Sequence, residues 1–186
     1  MKKLLLSLLL VLTYVTSMTA QNVTVEEPEF AEKTLLLTSD SQGVKLSREN
    51  GTIKAKAGAS LYLTGIGKVK SRLTLKGIKS TSKAVGSPTT RLIVKAADNK
   101  TDPNSFISIF KFEIKGKERR YLLAETGTLS KTESNNLSSV DYKAKKYGES
   151  SYYIVLEDLT PGEYGIVIGD PNHENTKNGM KVTTFT

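Results

Sequence analysis

Residues Lys68 to Lys76 alternate without a break. Lys68, Lys70, Arg72, Thr74 and Lys76 share one parity, and Val69, Ser71, Leu73 and Leu75 share the other. A period of two marks a half-buried β-strand, because successive side chains point to opposite faces of a sheet. A helix needs apolar residues at a period near 3.6, and no segment after residue 20 keeps that period for three turns. The chain is therefore expected to be β throughout, with almost no helix.

Other short runs fit the same pattern. Thr34 to Thr38 is apolar and short, and Ser39 to Gly43 is turn chemistry. Val44 to Ser47 and Thr52 to Ala57 alternate on either side of Asn50-Gly51. Both of those residues tolerate the positive φ of a type I′ turn, so a hairpin is expected there. Ser60 to Thr64 reads as a further strand ending at Gly65-Ile66-Gly67. Lys79 to Thr90 reads as a polar connection, Arg91 to Ala97 as a strand and Asp98 to Asn104 as a loop. Phe106 to Lys115 is the most apolar run, with Phe106, Phe110, Phe112 and Ile114 on one face and Ile107 and Ile109 on the other. Arg119 to Glu125 returns after a Gly116-Lys117 turn. Gly127 to Tyr147 is weakly patterned, with one strand expected near Val140. Ser151 to Glu157, Glu163 to Gly169 and Gly179 to Phe185 complete the set.

Short strands separated by turns predict an antiparallel β-sandwich, immunoglobulin-like or a related Greek key, as one domain over 34–186. Leu159-Thr160-Pro161-Gly162-Glu163-Tyr164 sharpens this expectation. A Tyr just after such a turn can close a sandwich end by bonding its hydroxyl back to the backbone, the tyrosine corner. An ordinary hairpin with a buried Tyr is the alternative.

The N-terminus reads as a secretory leader over 1–20: Lys2 and Lys3, an apolar run from Leu4 to Val15, then small and polar residues to Ala20. That run is shorter than the ~20 residues a membrane-spanning helix needs. Cleavage after Ala20 is expected, followed by a flexible acidic arm over 21–33 that holds Glu26, Glu27, Glu29 and Glu32. The mature protein is then exported, to the periplasm, the cell surface or the medium. The absence of Cys excludes disulfides, thiol catalysis and thiolate metal sites. A formal charge of +8 falls by two to +6 when the leader goes, which favours anionic partners. Export argues against nucleic acid among them.

Four stretches together resemble a family of small exported proteins of Bacteroidetes bacteria to which no activity is assigned. They are Ser60 to Lys68, Asp102-Pro103-Asn104 leading into Ile109 to Glu113, Lys145-Lys146-Tyr147-Gly148, and Pro161-Gly162-Glu163-Tyr164-Gly165-Ile166. The last stretch is also similar to the ends of fibronectin type III and prealbumin-like modules. The resemblance implies an exported bacterial β protein and no reaction.

Catalytic signals are sparse. The one His, His173, sits in a polar loop with no nucleophile elbow anywhere in the chain. One His and no Cys do not make a zinc site, and no cofactor is expected. Asp98, Asn99, Asp102 and Asn104 form one oxygen-rich loop, and Asp170, Asn172, Glu174 and Asn175 another. Both suit Ca²⁺ ligation, and both suit plain turns. Gly65-Ile66-Gly67 precedes a strand, whereas a dinucleotide fingerprint opens a helix.

The best candidate binding feature is the cationic stripe Lys68, Lys70, Arg72 and Lys76, with Lys54 and Lys56 repeating the spacing on a nearby strand. Successive charges ~7 Å apart lie within one Debye length and act together. A solvated face, or an edge strand that lysines protect, is the commoner origin of such a stripe. Three functions are compatible: a non-enzymatic module binding an anionic glycan, lipid or another protein of the envelope; a carboxylate-dependent hydrolase or lyase of envelope glycans; or a subunit of a surface assembly whose N-terminal arm adds a strand to a neighbour.

Overall fold

The computed structural model describes residues 23–83, 88–127, 139–169 and 179–186. The expected leader, His173 and the 170–175 loop lie outside them. In chain order the elements are β1 (Thr34–Leu37), β2 (Gly43–Lys45), β3 (Ser47–Ala57), α1 (Ala59–Thr64), β4 (Lys68–Lys76), β5 (Thr89–Lys95), β6 (Ile107–Lys111), β7 (Glu113–Lys115), β8 (Glu118–Gly127), β9 (Lys143–Tyr147), β10 (Ser151–Glu157), β11 (Tyr164–Ile168) and β12 (Met180–Phe185). They form two antiparallel sheets, with orders β2-β1-β5-β10-β9 and β6-β11-β12-β3-β4-β8-β7. The expected all-β sandwich is the architecture observed.

The inner faces are built by period-two alternation. Leu36, Leu92, Val94, Tyr152, Ile154 and Leu156 of the five-stranded sheet meet Ile107, Ile109, Tyr164, Ile166 and Phe185 of the seven-stranded one. The larger sheet then curls. Its two edge strands, β6 and β7, are consecutive in the chain and separated by Phe112 alone. The opposite side of β6, β11 and β12 therefore faces β4 and β8 across a second core of Phe110, Phe112, Val167, Met180, Val182, Leu73, Leu75 and Tyr121. Phe110 stacks on Tyr121 with ring centroids 3.9 Å apart and meets Phe112 edge-on at 5.2 Å. The apolar run Phe106 to Lys115 is thus two strands, and its two faces feed two different cores.

Three expectations are corrected. Asn50-Gly51 is not a turn; β3 runs straight through it. Residues 47–51 pair with β12 and residues 52–57 with β4. A Cβ on Gly51 would overlap the Leu73 side chain and approach Leu75 Cδ1 to 3.3 Å. The glycine is there to admit the second core, and its backbone stays out of the positive-φ region. Ser60 to Thr64 is helical, not extended. Gly65 terminates α1 in the left-handed conformation at φ 70°, its N–H donating to the Leu61 carbonyl. The arm is docked from Val23 onward. Val23 and Val25 pack on a third cluster of Leu37, Ile93 and Tyr153 on the outside of the five-stranded sheet. Glu27 fixes the arm by accepting from the Glu149 and Ser150 N–H groups and the Ser151 hydroxyl, and by pairing with Lys95 at 3.2 Å. Burial opposes ionisation of Glu27, but those donors outweigh it and hold the carboxyl below its ordinary value.

The Leu159 to Tyr164 turn is a corner, because β10 and β11 lie in different sheets. Tyr164 is buried, stacks on Phe185 with centroids 5.2 Å apart, and donates its hydroxyl to the Thr160 carbonyl. Tyr164→Phe should lower unfolding free energy by ~0.5–1.5 kcal/mol, the net value of one intramolecular hydrogen bond. Urea melts with an unchanged midpoint would refute that role.

Candidate functional site

The seven-stranded sheet changes character along one face. Under the five-stranded sheet this face is apolar, through Phe185 and Ile166. Where the sheet curls out from that cover, the same face turns polar. On β4 the parity of Lys68, Lys70, Arg72 and Lys76 holds as expected. Register places Lys54 beside Arg72 and Lys56 beside Lys70 on the β3 side. On the β8 side Glu125 lies beside Lys70, Leu122 beside Arg72, Arg120 beside Thr74 and Glu118 beside Lys76. On β7, Lys115 lies beside Glu118 and Glu113 beside Arg120. Eight cationic side chains thus share this face with three carboxylates.

Salt bridges divide the cations. Glu125 is clasped by Lys68 at 2.5 Å and Lys70 at 2.6 Å. Hydrogen bonds from Lys68 and then Lys70 hold its carboxyl down to about 2. Glu118 takes Lys54 at 3.0 Å and Arg120 at 2.8 Å, which hold it below the usual carboxylate range. Both glutamates therefore stay ionised near neutrality. Lys56, Arg72 and Lys76 have no carboxylate within ion-pair distance among the described residues. Lys115 on β7 is likewise without one; Lys56, Arg72 and Lys76 lie on two adjacent strands and, with it, are the groups left to meet an external anion.

The stripe was legible in sequence; its neutralising partners were not. Counting by twos from Glu118 sends Glu125 to the opposite face. In the structure Ser71 pairs with Ala124 and Arg72 with Leu122, so Leu123 is an extra residue in β8. This bulge inverts the parity beyond it and brings Glu125 beside Lys70.

A buried ionic cluster closes one end of the second core, and nothing in the residue pattern signalled it. Arg119 is 1% exposed and donates to Glu49 through two nitrogens at 3.0 and 2.5 Å. It also reaches the Gly77 carbonyl at 3.1 Å and Glu163 at 3.8 Å. Glu163 accepts from the Ser80 N–H at 2.6 Å, and the Thr184 hydroxyl donates to Glu49 at 2.6 Å. Arg119 and Glu163 are buried while the Glu49 side chain keeps 26% exposure, and the cluster has a structural geometry.

The oxygen-rich 98–104 loop uses its polar groups internally. Asp98 accepts from the Lys100 N–H and Asp102 from the Asn104 N–H. Asn99 donates to the carbonyls of Gly148 and Ser151. Among the described residues, no three His, Asp or Glu side chains gather in a group able to hold a metal. Beside the tyrosine corner lies a cleft of about 420 Å³ lined in part by Asp141, Glu157, Asp158 and Lys111. Glu157 is held there by Lys143 through both oxygens at 2.9 and 2.7 Å, and Lys111 is tied to Thr160 at 2.6 Å. No helix among the described residues is long and apolar enough to cross a membrane. No family model, curated protein or solved structure matches the chain.

Proposed function

We propose that the protein is an exported, non-enzymatic β-sandwich that binds an anionic partner at the bacterial cell envelope through the outer face of β3 and β4. One observation carries this reading: the uncovered part of the sheet gathers eight cations against three carboxylates. A merely solvated face is served by balanced charge, as Glu118 and Glu125 provide for their neighbours. The cations left outside those pairs, Lys56, Arg72, Lys76 and Lys115, attract polyanions, each contact weak and the sum strongly salt-dependent.

The test is a double charge reversal, Lys56→Glu with Arg72→Glu. Binding to dextran sulfate and to phosphatidylglycerol vesicles is measured at low salt beside wild type. The reading predicts loss of at least about tenfold in affinity for one or both ligands, equal to 1.4 kcal/mol, with melting temperature nearly unchanged. Equal binding by both proteins would overturn it.

A further inference from the structure

The connection from β3 to β4 presents apolar groups that no core requires. No residue of α1 is buried. Tyr62 is 79% exposed and Leu63 85%, and Ile66 just past the cap is 54% exposed. The other exposed large hydrophobics among the described residues, Phe30, Val44, Ile78 and Ile114, are scattered. These three fall within five positions. Local bonds hold the tip in shape: Thr64 donates its hydroxyl to the Ser60 carbonyl at 2.8 Å, and the Gly58 N–H donates to the Lys68 carbonyl at 2.9 Å.

Immediately behind this apolar tip stand the cations of the ribbon. Lys56 and Lys68 flank it on β3 and β4, with Lys54, Lys70 and Arg72 further along. An apolar end backed by cations is the chemistry of an interfacial anchor. Apolar side chains enter the boundary between headgroups and acyl chains, and lysines behind them meet lipid phosphates. A glycan satisfies the charges but offers no apolar phase for Leu63 and Ile66.

We propose that the β3–α1–β4 tip docks the protein on an anionic phospholipid bilayer, with Tyr62, Leu63 and Ile66 inserted and the unpaired Lys56 and Arg72 at the headgroups. The proposal rests on the cationic-face reading and names its partner.

The chain has no Trp, so Leu63→Trp introduces a single indole at an exposed position. The mature protein carrying it is mixed with vesicles of phosphatidylglycerol and phosphatidylcholine. The expected result is a blue shift in emission and quenching by lipids brominated in their acyl chains. Phosphatidylcholine alone should give neither. In parallel, Tyr62→Ser with Leu63→Ser should weaken co-sedimentation with the mixed vesicles by about tenfold or more, from lost apolar burial. Binding to the mixed vesicles with water-like, unquenched emission would overturn insertion and leave the cationic-face reading standing. Failure to bind both the vesicles and dextran sulfate would overturn both. Lipid-free self-association that the double Ser variant abolishes would identify the occupant as a second copy and overturn the lipid proposal.

Discussion

Arg119→Met should destabilise the fold by about 3–5 kcal/mol, the range found when one partner of a buried ion pair is removed. Arg119 sits at the closed end of the second core with its guanidinium 5.7 Å from the centre of the Phe112 ring. Its removal leaves Glu49 without its bidentate partner and the buried Glu163 without its only cation among the described residues. It also strips a donor from the carbonyls of Gly77 and Lys76. The loss is therefore one of stranded charge more than of lost attraction. Adding Glu49→Leu to Arg119→Met should recover part of the deficit, since apolar groups of similar volume can replace a buried pair at little cost. Denaturant melts of the two variants separate these contributions. A single variant within experimental error of wild type would show that the cluster does not hold the curled sheet together.

Gly51→Val should cost about 1–3 kcal/mol through overpacking. The position is buried on the inner side of β3, and Leu73, fully buried across from it, occupies the space a side chain would need. Extended backbone suits Val, so the conflict is entirely one of volume. Leu73→Ala alone should be strongly destabilising, by about 2–5 kcal/mol. In the Gly51→Val background the same truncation should cost markedly less, because the new methyls fill part of the space vacated. A thermodynamic cycle with no coupling between the two positions would refute the close approach.

The Gly51 result shows where sequence reading reaches its limit. Alternation located β4, β8, β10, β11 and β12 and made the sandwich legible, because parity decides which side chains can be buried. Asn50-Gly51 carried a correct local preference for a turn, yet the residue was selected by a contact with Leu73 that lies 22 positions away. Tertiary packing overrode local preference there. The strand expected over Ser60 to Thr64 failed for a different reason: with no buried face, neither periodicity had a core to report. The arm looked flexible because four carboxylates surround Pro28 and little in it can be buried, whereas Glu27 is the anchor that ties it to the Glu149–Ser151 turn. For the candidate site, the cationic stripe followed from period two alone. Its counter-charges did not, because a single bulge residue, Leu123, reverses parity on β8.

The most direct test of the central claim is amide chemical-shift mapping of the isotope-labelled protein titrated with an anionic partner, soluble dextran sulfate or phosphatidylglycerol-containing nanodiscs. The account predicts that perturbations concentrate on Lys54 to Ala57 and Lys68 to Arg72, extend into α1 with the nanodiscs, and shrink as salt rises past the point where the Debye length falls to several ångströms. Perturbations confined to the corner cleft of Asp141, Glu157 and Asp158, or a spectrum unchanged by either partner at low salt, would contradict it.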